Sequence, residues 1–248
     1  MISNPVTGAG YLLRGLTLLN KPRVRRFVIL PLLINIVLFV AALWLAADYF
    51  GSFIDHLMPE LPSWLAWLSW LLWLVFAAAA VVIVFFGFTL VANLVGAPFN
   101  GYLAEAVEYH LTGQRPPGSD KSFLAEAKDA ILGELKKYVY FILWAIPLLI
   151  LFVIPVVNLI APFAWLVFGA WMLTIEYADY PMGNHGLTFP DQRRRLAEKK
   201  FLNLGYGAAV MVGTMVPLFN FLVMPTAVAG ATALWVEQLR RPGALDNP

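Results

Sequence analysis

The sequence predicts an all-α integral membrane protein of one domain, and three observations support this. Of its residues, 60% are hydrophobic and only 13% are charged, whereas a soluble domain is about 25% charged. The mean hydropathy is +0.74. Four apolar runs contain no Asp, Glu, Lys, Arg or His, and their lengths suit helices that enter or cross a bilayer. We expect two long transmembrane helices, two short-armed helical hairpins that penetrate the membrane only partway, and amphipathic helices at the cytoplasmic interface.

The apolar runs and the polar stretches between them divide the single membrane domain into eight segments. The expected segments are an interfacial helix (1–21), a first span (22–47), a second span with its extension (61–104), a cytoplasmic helical segment (105–137), hairpin one (138–175), a basic cytoplasmic loop (176–200), hairpin two (201–236) and a cytoplasmic tail (237–248).

The first span begins directly after a basic stretch. Residues 27–47 hold 21 uncharged residues, which is long enough for a helix to cross a bilayer. Asn20 is expected to cap this helix and Pro22 to fit its first turn. Pro31 is a candidate kink, and Asn35 is the one strongly polar side chain of the span.

The second span starts with a tryptophan every third residue, Trp64, Trp67, Trp70 and Trp73. Tryptophan is enriched where helices meet the membrane interface, so this stripe predicts an interface belt. The apolar run is too long for one crossing. We expect Gly96, Pro98 and Gly101 to interrupt it.

Each hairpin run breaks near its middle at a proline-bounded segment that starts P-x-x-N, at Pro155–Pro162 and at Pro217–Pro225. At about 1.5 Å per residue, each arm is about 24 Å long and falls short of a ~30 Å hydrocarbon core. The arms therefore either barely cross or form re-entrant wedges. In wedges, Asn158 and Asn220 would lie at membrane depth beside protein or water.

Lysine and arginine are distributed on one side of this arrangement. They number 5 in residues 1–26, 0 in 48–60, 5 in 105–137, 5 in 176–200 and 2 in 237–248, which accounts for all 17. The positive-inside rule then predicts an inner-membrane protein with both termini in the cytoplasm and residues 48–60 outside.

Residues 21–26, here called the basic opening, carry Lys21, Arg23, Arg25 and Arg26 where the first span begins. Backbone N–H groups, the positive end of the helix dipole and guanidinium forks converge there, which is the chemistry of an oxyanion site. The same residues would also serve as a topology anchor that only keeps charge in the cytoplasm. The stretch alone leaves both interpretations open.

Catalysis has little support in the sequence. There is no cysteine, no H-E-x-x-H, no G-x-S-x-G and no phosphate loop, so we expect no catalytic residue, cofactor, metal or nucleic-acid partner. Two pairs of acids, Glu105 with Glu108 and Glu176 with Asp179, stand at the ends of apolar runs. They are either solvated helix ends or partners of arginines that gate an anion path.

Four stretches together make the chain resemble the CysZ family of bacterial sulfate permeases. They are residues 22–35, 93–108 and 176–189 and the pair of P-x-x-N hairpins. The resemblance implies an inner-membrane helical fold with hemi-penetrating helix pairs, and sulfate uptake that feeds cysteine biosynthesis.

The resemblance also implies a sulfate-binding segment at Arg23, Val24, Arg25 and Arg26. The family's G-L-R-R corresponds to these four positions, and its Gly-Leu pair is replaced here by Arg-Val. The substitution removes the glycine that would permit close backbone approach, while Arg23 adds a charge.

Beyond this segment, a channel-like path is favoured because the apolar runs contain no titratable group, although proton coupling through loop acids stays open. Partners expected are sulfate, the lipid bilayer and further copies of the chain in a homo-oligomer. The alternative function is a membrane scaffold or interaction protein without transport. The candidates for pore or gate residues are Asn35, Asn100, Glu105, Glu108, Asn158 and Asn220.

The charge distribution predicts the result of single-cysteine labelling, for which this cysteine-free chain is a clean background. A cysteine within residues 48–60 should react with an impermeant reagent from the periplasm. Cysteines in residues 115–121 or 193–200 should react only after the cells are opened. Periplasmic labelling of either of those two segments in most molecules would contradict the predicted orientation.

Overall fold

The computed structural model describes residues 4–57, 62–117 and 123–240. Throughout these ranges the regular secondary structure is helical, which confirms the predicted all-α class. The elements are α1 (Pro5–Leu19), α2 (Pro22–Leu57), a 3₁₀ segment (Ser63–Leu68), α3 (Ser69–Thr112), α4 (Phe123–Val153), a 3₁₀ turn (Val157–Leu159), α5 (Ala161–Gly183), α6 (Phe189–Ala197), α7 (Lys200–Thr214), α8 (Pro217–Leu234) and a π-helical turn (Trp235–Leu239).

Four helices of the described chain are long and apolar enough to cross a membrane, which makes this an integral membrane protein by composition and length. Their crossing segments are Pro22–Ala42, Ile131–Val153, Ala161–Gly183 and Leu222–Leu239. The chain packs as two units, Met1–Arg26 with Asn100–Pro248, and Phe27–Phe99.

The Phe27–Phe99 unit contains α2 from Phe27 to its end at Leu57 and α3 from its start at Ser69 to Phe99. The α2 helix continues through Pro31. The side chains of Trp64, Trp67, Trp70 and Trp73 are all exposed. Large aromatic side chains that face outward near the start of an apolar helix fit a membrane-interface belt.

The expected interruption of the second apolar run does not occur. The α3 helix continues through Gly96, Pro98 and Gly101 for 44 residues in total. Proline and glycine are tolerated inside membrane helices because neighbouring groups satisfy the freed backbone positions. The predicted cytoplasmic residues from Glu105 to Thr112 are therefore the end of this same helix.

Hairpin one turns where the sequence predicts. The α4 helix ends at Val153, a 3₁₀ turn follows, and α5 begins at Ala161. Val156 within the turn has φ +72°, a left-handed conformation that is strained for a β-branched residue. The α4 helix itself is longer than expected, since its 31 residues join the cytoplasmic segment directly to the first arm of the hairpin.

Hairpin two turns earlier than predicted. The reversal lies at Met215 and Val216, Pro217 opens α8, and Pro225 lies inside that helix rather than ending a break. Proline suits the first helical turn, where its missing N–H has no intrahelical partner to lose. The first arm, α7, has 15 residues. At about 1.5 Å per residue it is about 22 Å long, shorter than a ~30 Å core.

The N-terminal helix α1 is the main packing partner of hairpin two. Its buried face recurs at helical spacing: Gly8, Tyr11, Leu12, Gly15 and Leu18. The α8 helix packs mainly on α1, α7 packs on α1 and α5, and the two arms touch each other less. The prediction that α1 lies in the membrane interface stays a prediction.

Glycine permits this packing by letting backbones meet. A Cβ on Gly8 would overlap the Leu202 carbonyl, and one on Gly205 of α7 would overlap the Pro5 carbonyl. On the other arm, a Cβ on Gly15 would overlap the Thr226 carbonyl. Small residues that allow close backbone approach are the usual basis of helix association in membranes.

Replacing Gly15 by alanine should therefore destabilise the protein by about 1–3 kcal/mol, because the overlapped atoms are backbone and cannot rotate away. The measurement is the thermal unfolding of the purified protein in detergent. The matched control is Gly10→Ala, where the added Cβ meets nothing within 4 Å. This control should be neutral or slightly stabilising, since alanine favours helix. Equal melting temperatures for both variants would refute the packing argument.

Candidate functional site

The basic opening contains the start of α2 at Pro22, three residues after α1 ends at Leu19. The arginines Arg23, Arg25 and Arg26 are exposed, while Val24 between them is completely buried. Val24 thus anchors the start of the helix in the core. Its anchoring leaves the guanidinium groups at the surface, where they can reach an anion.

The backbone contributes fewer donors here than the sequence suggests. The N–H groups of Val24 and Arg25 both donate to the Lys21 carbonyl, at 2.9 Å each. Asn20 is the C-cap of α1 and not the N-cap of α2. Because the turn already uses these two N–H groups, side chains are the principal donors available to a bound anion.

The basic opening meets the end of α3. The Arg23 guanidinium carbon lies 5.3 Å from the centre of the Tyr109 ring, a cation–π contact. One turn earlier on α3, Glu105 lies 3.7 Å from Arg115 Nε. Glu105 and Glu108 lie three residues apart in the sequence, and the structure places Arg23 beside the helical turn that carries them.

Glu108 is buried and is not a solvated helix end. Its exposure is 1%. Both carboxylate oxygens lie close to His185 Nε2, at 2.8 and 2.9 Å, and Oε1 lies 3.3 Å from Arg240 Nη1. We call Glu108, His185 and Arg240 the buried triad. Glu108 thus pairs with an arginine that is 132 residues away in sequence. The hypothesis that such a pair gates an anion path stays a prediction.

The buried triad adjoins a tryptophan of the π-helical turn. The rings of His185 and Trp235 are 5.4 Å apart. In the described part of the chain, His185 Nδ1 and Trp235 Nε1 are both buried without a hydrogen-bond partner. Such atoms usually cost free energy unless something unseen satisfies them.

Asn100 is also buried, at the point where α3, α5 and α8 meet. Its amide nitrogen donates to the Tyr180 hydroxyl at 3.2 Å and lies 3.4 Å from the Met224 sulfur. Asn184, after α5, donates to the Gly101 carbonyl at 3.0 Å. These bonds fix the end of α3 against α5 and α8.

The other predicted polar residues lie on other elements of the chain. Asn35 lies in the first span, where its Oδ1 is buried without a partner among the described residues. Asn158 lies in the 3₁₀ turn of hairpin one and is exposed. Asn220 falls within α8, but its side chain lies outside the part of the structure that is described.

The second predicted acid pair binds a lysine rather than an arginine. Lys137 is 6% exposed, and its Nζ lies 2.6 Å from Glu134, 3.3 Å from Glu176 and 2.9 Å from Asp179. We call these four residues the lysine cluster. Lys137 was not singled out from sequence, because only the fold brings its three partners together from α4 and α5.

Another polar contact ties the two ends of the described chain together. Tyr11 donates to Glu237 Oε2 at 3.1 Å, and Arg14 forms an ion pair with Glu237. Burial raises the pKa of the Tyr11 hydroxyl, so it stays protonated and continues to donate. The N-terminal helix is thereby held to the π-helical turn that carries Trp235.

Four helices of membrane-spanning length in the described chain define the class: an integral membrane protein. Its residues 11–225 match the family described as Sulfate transporter CysZ/Etoposide-induced protein 2.4. The chain belongs to this family.

Its relatives cover nearly the whole chain. "Sulfate transporter CysZ" of Pseudomonas fluorescens Pf-5 is 47% identical over 94% of both chains. The proteins with the same description from Pectobacterium atrosepticum and Pseudomonas aeruginosa PAO1 are 42% and 40% identical, over 96% and 94% of this chain and 87% and 96% of their own.

The lysine cluster predicts a stability effect with a defined pH dependence. Lys137→Met leaves three carboxylates facing one another and should cost about 1–3 kcal/mol, less than a fully buried pair because Glu134 and Glu176 are half exposed. Acidification should recover part of the loss, since protonation removes the repulsion. The control Lys136→Met changes an exposed neighbour. If Lys137→Met and Lys136→Met melt at the same temperature at every pH, the stabilising role assigned to the lysine cluster is wrong.

Proposed function

We propose that this protein takes up sulfate across the bacterial inner membrane and supplies sulfur for cysteine biosynthesis. The observation that carries the proposal is the cluster of exposed arginines at the opening of α2, in a chain whose relatives of 40–47% identity are described as sulfate transporters.

In this proposal Arg25 and Arg26 bind sulfate through their guanidinium groups. Arg23 contributes charge while its guanidinium rests on Tyr109. Val24 contributes position, because its buried side chain fixes the turn from which the arginines project. Guanidinium forks suit oxyanions since each offers paired N–H donors. Where the family segment has glycine, this chain has Arg23 and therefore one more cation.

Both termini are proposed to lie in the cytoplasm. Tyr11 and Arg14 near the N-terminus contact Glu237 near the C-terminus. Arg240, farther along, contacts Glu108 one residue before the tyrosine that carries Arg23. These contacts support placing the N-terminal helix, the basic opening and the C-terminal end at one membrane face, the face that the positive-inside rule makes cytoplasmic.

The route for sulfate is proposed to follow polar residues of the helices and hairpins, with Asn35, Asn100, Glu105, Glu108, Asn158 and Asn220 as its pore or gate residues. Asn158 is exposed on the single chain and the α7 arm is short. Assembly of several copies, a homo-oligomer, would give the hairpin ends protein or water to face.

The charge of the substrate bears on the energetics of uptake. Moving a dianion inward against a membrane potential of 100 mV costs about 4.6 kcal/mol, twice the cost of one charge. Through a simple channel, sulfate would flow inward only if its concentration outside exceeded that inside by more than ~1,000-fold. Rapid consumption of sulfate inside the cell would maintain such a ratio. The proposal favours a channel-like path with consumption of sulfate downstream, and it admits proton coupling through Glu105 or Glu108.

The site predicts that Arg25→Ala or Arg26→Ala weakens sulfate binding roughly ten- to hundredfold, the loss expected for one charge-assisted partner. The double variant should lose measurable binding and sulfate-dependent growth while it still inserts. Lysine at both positions should restore only part of the affinity, because the planar fork is lost. Sulfate titration of the purified protein measures this, with selenate and phosphate as competitors.

The matched control is Arg194→Ala with Lys200→Ala, which removes two exposed cytoplasmic charges away from the α2 opening. This control should bind sulfate like the parent protein. If the Arg25/Arg26 double variant binds sulfate with the affinity of the parent protein, the basic opening is only a topology anchor and the binding site lies elsewhere.

A further inference from the structure

Arg193 of α6 lies on two aromatic rings, that of Tyr140 in α4 and that of Phe189 in α6 itself. Its guanidinium carbon is 4.3 Å from the centre of the Tyr140 ring and 5.6 Å from the centre of the Phe189 ring. These cation–π contacts tie α6 to α4. They leave the guanidinium donors unused, because within the described ranges Arg193 forms no hydrogen bond and no ion pair.

A second cation stands one helical turn before Tyr140 on α4. Lys136 is exposed, and among the described residues it too has no hydrogen bond or ion pair. Residues four apart on a helix are neighbours on one face, and helical side chains lean toward the N-terminus of the helix. The Tyr140 side chain therefore leans toward Lys136. The two cations, Lys136 and Arg193, flank the same tyrosine.

The cations next to these two in sequence are neutralised by the protein itself. Lys137 lies among the three carboxylates of the lysine cluster. Arg194 forms an ion pair with Asp191 at 2.7 Å. The described chain thus provides carboxylates for Lys137 and Arg194 but none for the two cations beside Tyr140. An anion from outside the chain would complete this arrangement.

The anion that suits this position carries an acyl chain, because the surface beyond Tyr140 is apolar. Trp144, one turn farther along α4, meets the Tyr140 ring edge-to-face with the ring centres 6.4 Å apart, and it is 52% exposed. Leu143 beside it is 65% exposed, and residues 138–153 hold no charge. From Lys136 to Trp144 the helix rises about 12 Å. Over that distance its surface changes from cationic through aromatic to apolar, the order in which a phospholipid presents its phosphate, ester groups and acyl chains.

We propose that Arg193 and Lys136 bind the phosphate of an anionic phospholipid whose acyl chains lie along Leu143 and Trp144. A guanidinium group suits phosphate because it offers paired N–H donors, and the lysine adds a point charge. Tyr140 is a positioning residue, since its ring supports the guanidinium. The Tyr140 hydroxyl accepts a hydrogen bond from Trp171 Nε1 at 3.2 Å, which holds the ring against α5. A lipid bound in this way would join α6 to the membrane-crossing part of α4.

Melting temperatures of the purified full chain in a nonionic detergent test this inference. The anionic probe is dioleoyl phosphatidylglycerol, and its zwitterionic match is dioleoyl phosphatidylcholine. Phosphatidylglycerol should stabilise the parent protein saturably and more than phosphatidylcholine does, and its concentration dependence gives an apparent affinity. Each cation beside an anionic lipid contributes about fivefold in affinity. Arg193→Gln with Lys136→Gln should therefore weaken phosphatidylglycerol binding about 25-fold.

The matched control is Arg194→Gln with Lys200→Gln, which removes two exposed charges from α6 and α7. This control should bind phosphatidylglycerol like the parent. Tyr140→Leu should weaken binding in the parent but add no further loss to Arg193→Gln, because the ring acts through the arginine. Tyr140→Phe, which keeps the ring, should retain the affinity.

Lys136→Glu covers the case in which loss of Arg193 loosens α6. This variant changes an exposed side chain and should fold like the parent, while its affinity for phosphatidylglycerol should fall more than fivefold. Equal stabilisation of the parent by the two lipids, or parental affinity in a folded Lys136→Glu protein, would overturn the inference.

Two other results would identify a different occupant of this surface and would also overturn the inference. Inorganic phosphate that stabilises the parent as much as phosphatidylglycerol does would indicate a site for a free anion. A parent dimer in lipid-free detergent that Lys136→Glu dissociates would indicate that a second copy of the chain covers the surface. None of these measurements uses sulfate, so their outcome is separate from that of the proposed function.

Discussion

The backbone contact between α1 and hairpin two is the constraint on which the candidate site depends. Gly8 and Gly15 let α1 lie against carbonyl groups of α7 and α8, closer than any side chain would allow. From there Tyr11 and Arg14 reach Glu237, and α2 starts three residues after α1 ends. The arginines of the basic opening are therefore positioned by the packing of α1.

The two buried ion-pair centres of the described chain, Lys137 and Glu108, each have partners on other elements. Lys137 draws carboxylates from α4 and α5, and Glu108 draws an imidazole and a guanidinium from beyond α5 and α8. Such pairs gain little over apolar packing but are costly to break. They therefore specify which helices meet.

Sequence reasoning predicted the helical class, the membrane-spanning length of the first span and the turn of hairpin one, because hydropathy and proline report on the backbone locally. It missed the continuity of α3 through Pro98 and placed the turn of hairpin two too late, since proline at a helix start and proline at a helix end look alike. It recognised Glu108 but not His185, Arg240 or Trp235 beside it. Those contacts join residues far apart in sequence, and no local pattern reports them.

In the proposed function, the exposure of Arg23, Arg25 and Arg26 has an energetic consequence. Exposed arginines bind in a high-dielectric, salt-screened environment, so a sulfate held there exchanges readily. A path with one very tight site would trap its substrate, because conduction requires that each site also release. Guanidinium groups at the surface therefore suit a transport site, which must recognise a dianion and still let it go.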